Sequence, residues 1–364
     1  MDVRSSELVA KLAEDHALAL AEYEYLAANL ADDELREVLA EHARAAREPI
    51  YGHDVFVRGL IEFSSFCKND CYYCGLRASN RACERYRLTQ EQILSCADMG
   101  YELGFRTFVL QSGEDPHYTD DLLVGIVTAL KAAHPDCAIT LSVGERSRES
   151  YARLRDAGAD RYLLRHETAD PDHYASLHPA SMSWERRMAC LRDLRELGFA
   201  VGAGFMVGSP GQTPATLAAD LAFIQAFQPE MCGIGPFVPH HATPFADEPA
   251  GTLEQTLGLL SIIRLIKPNI LLPATTALGT IHPMGRVLGM EAGANVVMPN
   301  LSPADVRAKY LLYDGKIATG DEAAECRRCL EMRMARCGYN VVTDRGDPRS
   351  SFIGGYSPNE EFAN

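Results

Sequence analysis

The segment Cys67-Lys-Asn-Asp-Cys71-Tyr-Tyr-Cys74 places three cysteines in a C-x3-C-x2-C spacing, with an aromatic residue before the last cysteine. Three thiolates at this spacing can bind three irons of a 4Fe-4S cubane and leave the fourth iron without a protein ligand. Iron-sulfur clusters that only transfer electrons usually have four cysteine ligands, so we expect chemistry at the open iron. S-adenosylmethionine (SAM) fits this position. Its amino and carboxylate groups can chelate the iron, and an electron from the cluster can cleave its sulfonium to a 5'-deoxyadenosyl radical.

Two simpler interpretations of these cysteines stay open at this point. A zinc site would need a fourth ligand beside the three thiolates, and three unrelated thiols would only fill the core. The spacing, together with the aromatic Tyr73, is far more specific than a lone C-x2-C pair. We therefore favour the radical-forming cluster.

The composition limits the class of protein and its partners. The chain has 364 residues, a formal net charge of -15 and a pI near 5.2, which argues against nucleic acid because such binding requires clustered Lys and Arg. It has no apolar run of membrane-spanning length and no hydrophobic signal core at its N-terminus, so we expect a cytoplasmic protein without a membrane partner. The 11 cysteines are then more typical of metal ligands and core thiols than of disulfides.

From residue 55 onward, short apolar runs alternate with amphipathic segments, as in a parallel α/β fold. The eight apolar runs lie at 55–63, 107–111, 139–143, 162–165, 200–207, 232–237, 270–273 and 295–298. Predicted helices lie at 89–103, 120–133, 147–157, 183–197, 214–227, 253–266 and 284–292. We therefore predict a (β/α)8 barrel of the TIM type at 55–313, with an N-terminal helical extension at 1–54 and a C-terminal segment with a helical tail at 314–364.

Local signals at the predicted helix ends agree with this division. Thr89 followed by Gln92 forms a capping box at a helix start. Gly104, Gly158 and Gly198 follow three helices immediately before the next strand, where left-handed C-caps are expected.

The polar residues after each strand are candidate site residues, because a TIM-type barrel builds its active site at the C-terminal ends of its strands. The second run leads into Gln111, Ser112, Gly113 and Glu114. The glycine lets the backbone approach a ligand, and the neighbouring oxygens can accept hydrogen bonds from an ammonium such as that of methionine. An ordinary turn explains this segment equally well.

The fourth run leads into Arg165, His166 and Glu167. Ionisable residues directly after a buried strand are costly unless a ligand or a partner uses them. Glu167 can accept two ribose hydroxyls, and Arg165 can bind a substrate carboxylate or another anion through two hydrogen bonds. Arg187, on the following helix, is a candidate partner for the methionine carboxylate. A structural salt-bridge network is the competing interpretation.

Glycine alternates with apolar residues around Met206, which allows the backbone to pack against a flat adenine, although a bulge at a barrel corner would also select glycine. The seventh run leads into Thr275 and Thr276, and the hydroxyls of Tyr310 and Tyr313 can close the opposite end of the cavity. Because hydroxyl side chains are common, only the positions of these residues indicate that they belong to the site.

With these residues assembled, the chain closely resembles the HydE family, the radical SAM maturases of FeFe-hydrogenase, from about residue 57 to residue 313. The resemblance rests on Gly59-Leu-Ile-Glu-Phe-Ser, the cysteine loop through Gly75-Leu-Arg77, Val109-Leu-Gln-Ser-Gly-Glu-Asp-Pro116, Arg161-Tyr-Leu-Leu-Arg-His-Glu-Thr168, Met206-Val-Gly-Ser-Pro-Gly-Gln-Thr213, Gly233-Ile-Gly-Pro-Phe237, Pro273-Ala-Thr-Thr276 and Met298-Pro-Asn300. It implies a complete barrel with cluster and SAM at one end, above an internal cavity with anion-binding groups.

The resemblance also implies a role in assembling the diiron H-cluster. The adenosyl radical would act on a small organometallic iron-cysteine precursor supplied by a partner maturase, with a ferredoxin or flavodoxin as reductant. The residues implied for SAM are Tyr73, Gln111, Ser112, Glu167 and Arg187. The residues implied for the cavity are Thr140, Arg165, Thr275, Thr276 and Tyr313. The residues alone lead only to a radical SAM barrel with a small polar or anionic substrate.

Two alternative functions remain open. A mutase such as 3-methylornithine synthase resembles the family in fold and cluster loop, but would need groups that bind a free amino acid. A non-enzymatic scaffold would carry an iron-sulfur unit to an apo-hydrogenase without cleaving SAM.

Cys326 and Cys329 suggest an accessory metal site near the C-terminus. On a helix they lie about one turn apart, whereas Cys337 would lie roughly 16 Å from Cys326. Some relatives have a further cysteine where this chain has Ala318, so the known ligand set is incomplete. We therefore hypothesise that any second iron-sulfur cluster is absent or labile and dispensable, since a lone C-x2-C often misleads.

Overall fold

The structure, a computed structural model, describes residues 1–317 and 327–349. The strands are β1 (Asp54–Val57), β2 (Gly59–Ser64), β3 (Thr107–Ser112), β4 (Ala138–Ser142), β5 (Arg161–Leu163), β6 (Ala200–Ala203), β7 (Met206–Val207), β8 (Met231–Cys232), β9 (Gly235–Pro236), β10 (Val296–Val297) and β11 (Asn340–Val342). The helices are α1 (Val3–Asp15), α2 (Leu20–Ala28), α3 (Asp33–Tyr51), α4 (Gln90–Glu102), α5 (Asp120–Ala133), α6 (Arg148–Asp156), α7 (Pro171–Leu177), α8 (Trp184–Glu196), α9 (Pro214–Phe227), α10 (Leu253–Ile266), α11 (Thr276–Ile281), α12 (Gly285–Glu291), α13 (Ala304–Arg307) and α14 (Arg327–Ala335).

The strands form a closed parallel barrel, which confirms the predicted (β/α)8 fold. β2, β3, β4, β5, β6 and β8 pair in that order. Single parallel bridges complete the ring at Met231 with Leu271, Pro273 with Val296, and Leu60 with Asn300. The predicted run 270–273 therefore contributes bridges rather than a regular strand.

The predicted run 200–207 is divided into β6 and β7 at Gly204. This glycine has a φ of 149°, and a Cβ atom on it would lie 2.2 Å from the carbonyl oxygen of Gly233. Only glycine permits this approach of two backbones. The division turns β7, which pairs with β9, toward the open end of the barrel.

The predicted helix-end signals are confirmed. Thr89 and Gln92 form a capping box at the start of α4. Gly104, Gly158 and Gly198 have φ values of 83°, 108° and 78°, so each one reverses the chain in a left-handed conformation after a helix. These signals position the strands that follow.

The N-terminal helices pack on the outside of the barrel. α2 lies against α9 and α3 lies against α10, and the buried faces of these helices include Leu26, Leu35 and Leu39. Among the described residues, no helix combines the length and the apolarity needed to cross a membrane.

The C-terminal segment covers the N-terminal end of the barrel. β11 pairs in parallel with β1. Beyond it, the Arg161 guanidinium donates to Asp347 Oδ1 at 2.6 Å, and the Thr107 hydroxyl donates to the carbonyl of Arg345 at 2.7 Å. This end of the barrel is therefore filled by protein, and the C-terminal ends of the strands remain as the end that can hold ligands.

Candidate active site

A cavity of about 340 Å³ opens at the C-terminal ends of the strands. It brings together nearly all the predicted site residues, namely Cys67, Cys71, Tyr73, Cys74, Gln111, Ser112, Gly113, Glu114, Arg165, Glu167, Arg187, Met206, Thr275, Thr276, Tyr310 and Tyr313. Thr140 instead lines a separate small cavity deeper in the barrel, with Arg58 and Arg161. Side chains two positions apart on a strand occupy successive layers of a barrel, so Ser142 reaches the main cavity and Thr140 lies below it.

The three cysteines of the loop carry free, largely shielded thiols. Burial raises the pKa of all three thiols, and with the neighbouring Cys67 it raises that of Cys74 to about 12. Binding iron must therefore release protons from them. Among the described residues, the three cysteine sulfurs do not all lie within 4.8 Å of one another. A group of ligand atoms that does is His240, His241 and Asp314. Such a wider spacing of sulfurs suits a cluster better than a single zinc ion.

Two glycines allow the cluster loop to pack closely against its surroundings. A Cβ atom on Gly113 would lie 2.3 Å from the carbonyl oxygen of Phe66 and 2.7 Å from Cβ of Cys67. A Cβ atom on Gly75 would lie 2.3 Å from the carbonyl oxygen of Leu311. The sequence predicted a close approach at Gly113, and the structure shows that the approaching backbone is the cysteine loop itself.

Glu167 has a backbone and a side chain that both indicate a ligand site. Its φ is 64°, a left-handed conformation that costs free energy in a residue other than glycine. The Glu167 amide donates to the carbonyl of Gly204 at 3.1 Å, while the buried Oε2 atom has no hydrogen-bond partner. A buried carboxylate oxygen without a donor fits the predicted ribose hydroxyl.

Arg187 is buried and already partnered. Its Nε donates to Glu145 Oε1 at 2.7 Å and its Nη1 donates to the carbonyl of Arg165 at 2.6 Å. The first contact fixes the guanidinium beside the cluster loop, and the second ties it to the end of β5. A carboxylate ligand would join this network.

Tyr73 packs against the ring of His178, which stacks on Tyr174. Its hydroxyl lies 3.1 Å from Nε2 of His178, whose Nδ1 lies 2.9 Å from the carbonyl of Tyr174. Burial lowers the pKa of His178 to about 3, so the ring is neutral. His178 then donates a hydrogen bond through Nδ1 to Tyr174, and its Nε2 accepts a hydrogen bond from the Tyr73 hydroxyl.

Arg165 makes no hydrogen bond or ion pair with its guanidinium among the described residues, although it borders the cavity. The Thr275 hydroxyl, which also faces the cavity, is buried without a partner. Elsewhere in the cavity lining, Gln111 donates to the Tyr310 hydroxyl at 3.4 Å. The cavity thus offers an uncompensated cation and an unused hydroxyl, which suits a small anion.

Two cavity residues were missed by sequence reasoning. Lys316 Nζ lies 2.6 Å from Glu62 Oε1, and both side chains are nearly fully buried. Lys316 also donates to the carbonyl of Tyr310 at 2.8 Å. No spacing signal links Glu62, inside the first strand run, to a lysine 254 positions later.

The site geometry agrees with comparisons to known proteins. Residues 61–224 match the model of the Radical SAM superfamily. The FeFe hydrogenase maturase subunit HydE of Thermotoga maritima is 43% identical over 326 residues, which cover 90% of this chain and 93% of that protein. This chain belongs to the HydE family. It is a radical SAM enzyme, and membership of the HydE family implies a 4Fe-4S cluster and SAM.

Two further proteins show how far the HydE family's fold extends. The 3-methylornithine synthase of Methanosarcina barkeri is 29% identical over 327 residues, covering 86% of this chain and 92% of that protein. The crystal structure of methylornithine synthase (PylB) superposes with a TM-score of 0.81 at 27% identity, covering 92% of this chain and 97% of that one. Methylornithine synthase, the mutase considered as an alternative, therefore shares the fold of this HydE-family chain.

The residues present fit the cofactors that the HydE family implies. Three shielded thiols converge on the cavity, and the orphaned Glu167 oxygen lies on the same cavity wall. The predicted accessory metal site at Cys326 and Cys329 is only partly described, because Cys326 lies outside the described residues. Cys329 lies on α14, and Cys337 follows the end of that helix.

Proposed function

We propose that this enzyme cleaves SAM reductively and acts in assembly of the diiron H-cluster of FeFe-hydrogenase, on a small organometallic iron-cysteine precursor. The observation that carries the proposal is the uncompensated Arg165 in the same cavity as the three loop cysteines. The 43% identity to a HydE maturase supports it. When bound, the cluster supplies the electron that converts SAM to methionine and a 5'-deoxyadenosyl radical.

The residues of this chain divide into three roles in the proposal. Cys67, Cys71 and Cys74 hold the cluster. Tyr73, Gln111, Ser112, Gly113, Glu114, Glu167, Arg187 and Met206 bind SAM. Arg165, Thr275, Thr276, Tyr310 and Tyr313 bind the substrate, with Thr140 below them. Placing all three roles on one cavity brings the cluster, SAM and the substrate close together.

The charges of the cavity favour an anionic precursor over a free amino acid. Its three carboxylates are Glu62, Glu114 and Glu167. Glu62 is paired with Lys316 at 2.6 Å, and Glu114 is paired with Lys68 at 3.2 Å. Glu167 makes no ion pair among the described residues, and we assign it to the ribose. The ammonium of a free amino acid would therefore lack a counter-charge, whereas an anion finds Arg165.

The test is an anaerobic reaction of the iron-reconstituted protein with SAM and a reductant. We expect 5'-deoxyadenosine, and we expect the gene to restore hydrogenase activity to a host that lacks its own HydE maturase. Absence of 5'-deoxyadenosine would favour the scaffold function. Formation of 3-methylornithine from supplied amino acids, without hydrogenase maturation, would favour the mutase.

The remaining parts of the proposal concern partners and organisation. We propose that other hydrogenase maturases supply the precursor and receive the product, that a ferredoxin or flavodoxin supplies the electron, and that the protein acts in the cytoplasm. We also propose the division into 1–54, 55–313 and 314–364. Lys316 and β11 show how the last segment contributes to the barrel.

A further inference from the structure

The guanidinium of Arg85 lies at the centre of the cluster loop. Its Nη1 donates to the carbonyls of Ser65 and Leu76, the latter at 2.9 Å. Its Nη2 donates to the carbonyls of Arg77 at 2.8 Å and Asn80 at 3.2 Å. One side chain thus joins the residues before Cys67 to those after Cys74, and it closes the loop from outside the cavity.

Arg85 has no carboxylate partner among the described residues, whereas three other cations of this loop do. Lys68 pairs with Glu114 at 3.2 Å. Arg77 pairs with Asp70 at 2.9 Å, and Arg87 pairs with Asp115 at 2.7 Å. Those three charges are each neutralised locally, whereas Arg85 is satisfied only by neutral carbonyl oxygens, so its positive charge persists beside the cysteines.

We propose that Arg85 is a positioning residue of the cluster site, whose forked hydrogen bonds hold the cysteine loop closed and whose uncompensated charge favours the reduced cluster. The inference rests on the proposed function, which places a cluster on the three cysteines.

The sign of the electrostatic effect follows from charge counting. Reduction adds one negative charge to a cluster that already carries negative charge from its thiolates. A nearby positive charge therefore stabilises the reduced form more than the oxidised form, and it does so more strongly in a shielded loop than in water.

The geometry of the fork has a separate consequence. An arginine presents donors in a rigid planar arrangement, whereas a lysine offers one compact charge. Arg85→Lys therefore retains the charge but cannot bridge four carbonyls, and Arg85→Gln loses the charge and keeps a smaller donor. The two variants separate the contributions of charge and fork.

The experiment measures the reduction potential of the reconstituted cluster in the full-length protein, by EPR-monitored titration. Wild type is measured first, because failure of wild type to bind iron would count against the proposed function rather than against Arg85. For Arg85→Gln we expect a cluster with a more negative potential. At a fixed applied potential the ratio of reduced to oxidised cluster should fall about tenfold, which is about 59 mV for a one-electron couple.

The controls decide between the outcomes. Arg85→Lys should keep a potential near that of wild type, with lower iron content after reconstitution. Arg81→Gln removes the same charge from an exposed position four residues away and should match wild type, because solvent screens it. If Arg85→Lys binds the cluster and Arg85→Gln does not, the result supports a requirement for the positive charge. If neither variant binds the cluster and circular dichroism shows that both are folded, the result supports a requirement for the forked hydrogen bonds.

Two results would overturn the proposal. The first is a loaded Arg85→Gln cluster at the wild-type potential and with wild-type iron content. The second is global unfolding of both Arg85 variants while Arg81→Gln stays folded, since Arg85 would then serve the whole fold rather than the cluster.

Discussion

Arg161 lies on β5 and Arg165 lies just beyond its end, four residues later. The two arginines have different surroundings at the two ends of the barrel. Arg161, at the N-terminal end, is buried and donates to Asp347 and to the carbonyl of Arg345. Arg165, at the C-terminal end, borders the cavity without a hydrogen bond or ion pair from its guanidinium in the described chain. The same residue type is neutralised at one end and left unpaired at the other.

Under the proposed function, the difference separates a charge that stabilises the fold from one that binds a ligand. A shielded cation costs free energy unless it is paired and hydrogen-bonded. At the closed end the C-terminal segment supplies the partner. At the open end the described residues supply no partner, and we propose that the cost is relieved when an anion binds. The predictions below test this contrast, beginning with the cluster on which the open end depends.

Cys71→Ala should abolish both the reconstituted 4Fe-4S signal and SAM cleavage, because the cluster then lacks a required thiolate. The measurements are iron content, the EPR signal and 5'-deoxyadenosine. Cys83→Ala is the matched control, since Cys83 lies near the loop as a free thiol outside the proposed ligand set. Normal SAM cleavage by Cys71→Ala would contradict the site.

Arg165→Ala should leave the cluster signal intact and reduce hydrogenase maturation roughly 30-fold. Loss of one partner in a shielded charge pair costs about 2 kcal/mol or more, and each 1.4 kcal/mol is about a factor of ten. Arg165→Lys should recover part of the activity. Unchanged maturation by Arg165→Ala would mean that the open-end charge is structural, as it is at the closed end.

Asp347→Ala should produce the opposite pattern, with lower stability and unchanged SAM cleavage. The variant leaves Arg161 buried with only neutral acceptors, and an unsatisfied buried group costs about 1–3 kcal/mol. Denaturant unfolding of the apoprotein measures this loss. A variant as stable as wild type would show that the ion pair at the closed end contributes nothing.

The stability difference between wild type and Asp347→Ala should also depend on pH. Burial acts to raise the pKa of Asp347, but hydrogen bonds from Arg345 and Arg161 bring it below the usual 3.8. A lowered folded-state pKa means that the stabilisation is complete above the unfolded value and is lost as pH falls through the folded value. Unfolding at pH 7 should show the full difference, and unfolding below pH ~3 a smaller one. An equal difference at both would exclude the carboxylate as its source.

The smallest effect is expected for the double variant Cys326→Ala, Cys329→Ala. We expect wild-type SAM cleavage and maturation, because the proposed mechanism uses only the cluster in the cavity. Iron content separates loss of an accessory cluster from loss of the main one. Loss of maturation with the main cluster still present would refute dispensability.

The parts of the molecule that the sequence predicts are those with local signals. Apolar periodicity locates the strand runs, and Gly104, Gly158 and Gly198 mark the helix ends because a left-handed residue selects glycine. The candidate site follows from topology, since parallel strands bring their C-terminal ends to one face. For that reason, the position of Arg165 and Glu167 directly after a predicted strand indicates that they lie at the cavity, where the structure has them.

The parts that it does not predict depend on long-range contacts of polar residues. β11 is short, and nothing in its composition shows that it pairs with β1. The Lys316 to Glu62 ion pair and the carbonyl contacts of Arg85 leave no periodic trace, because a polar side chain can find a partner anywhere in the sequence. The sequence does not predict that Thr140 lies below the main cavity, because apolar patterning does not specify which layer of the barrel a side chain occupies.

The pairing of β1 with both β10 and β11 also limits when the barrel can close during synthesis. β1 leaves the ribosome long before Val296 and Asn340, which pair with it, because both lie far later in the chain. Until then the nascent chain has an unpaired strand edge. The three cysteines are therefore exposed long before the cavity exists, and we expect iron to be inserted only after β10 and β11 have emerged and paired with β1.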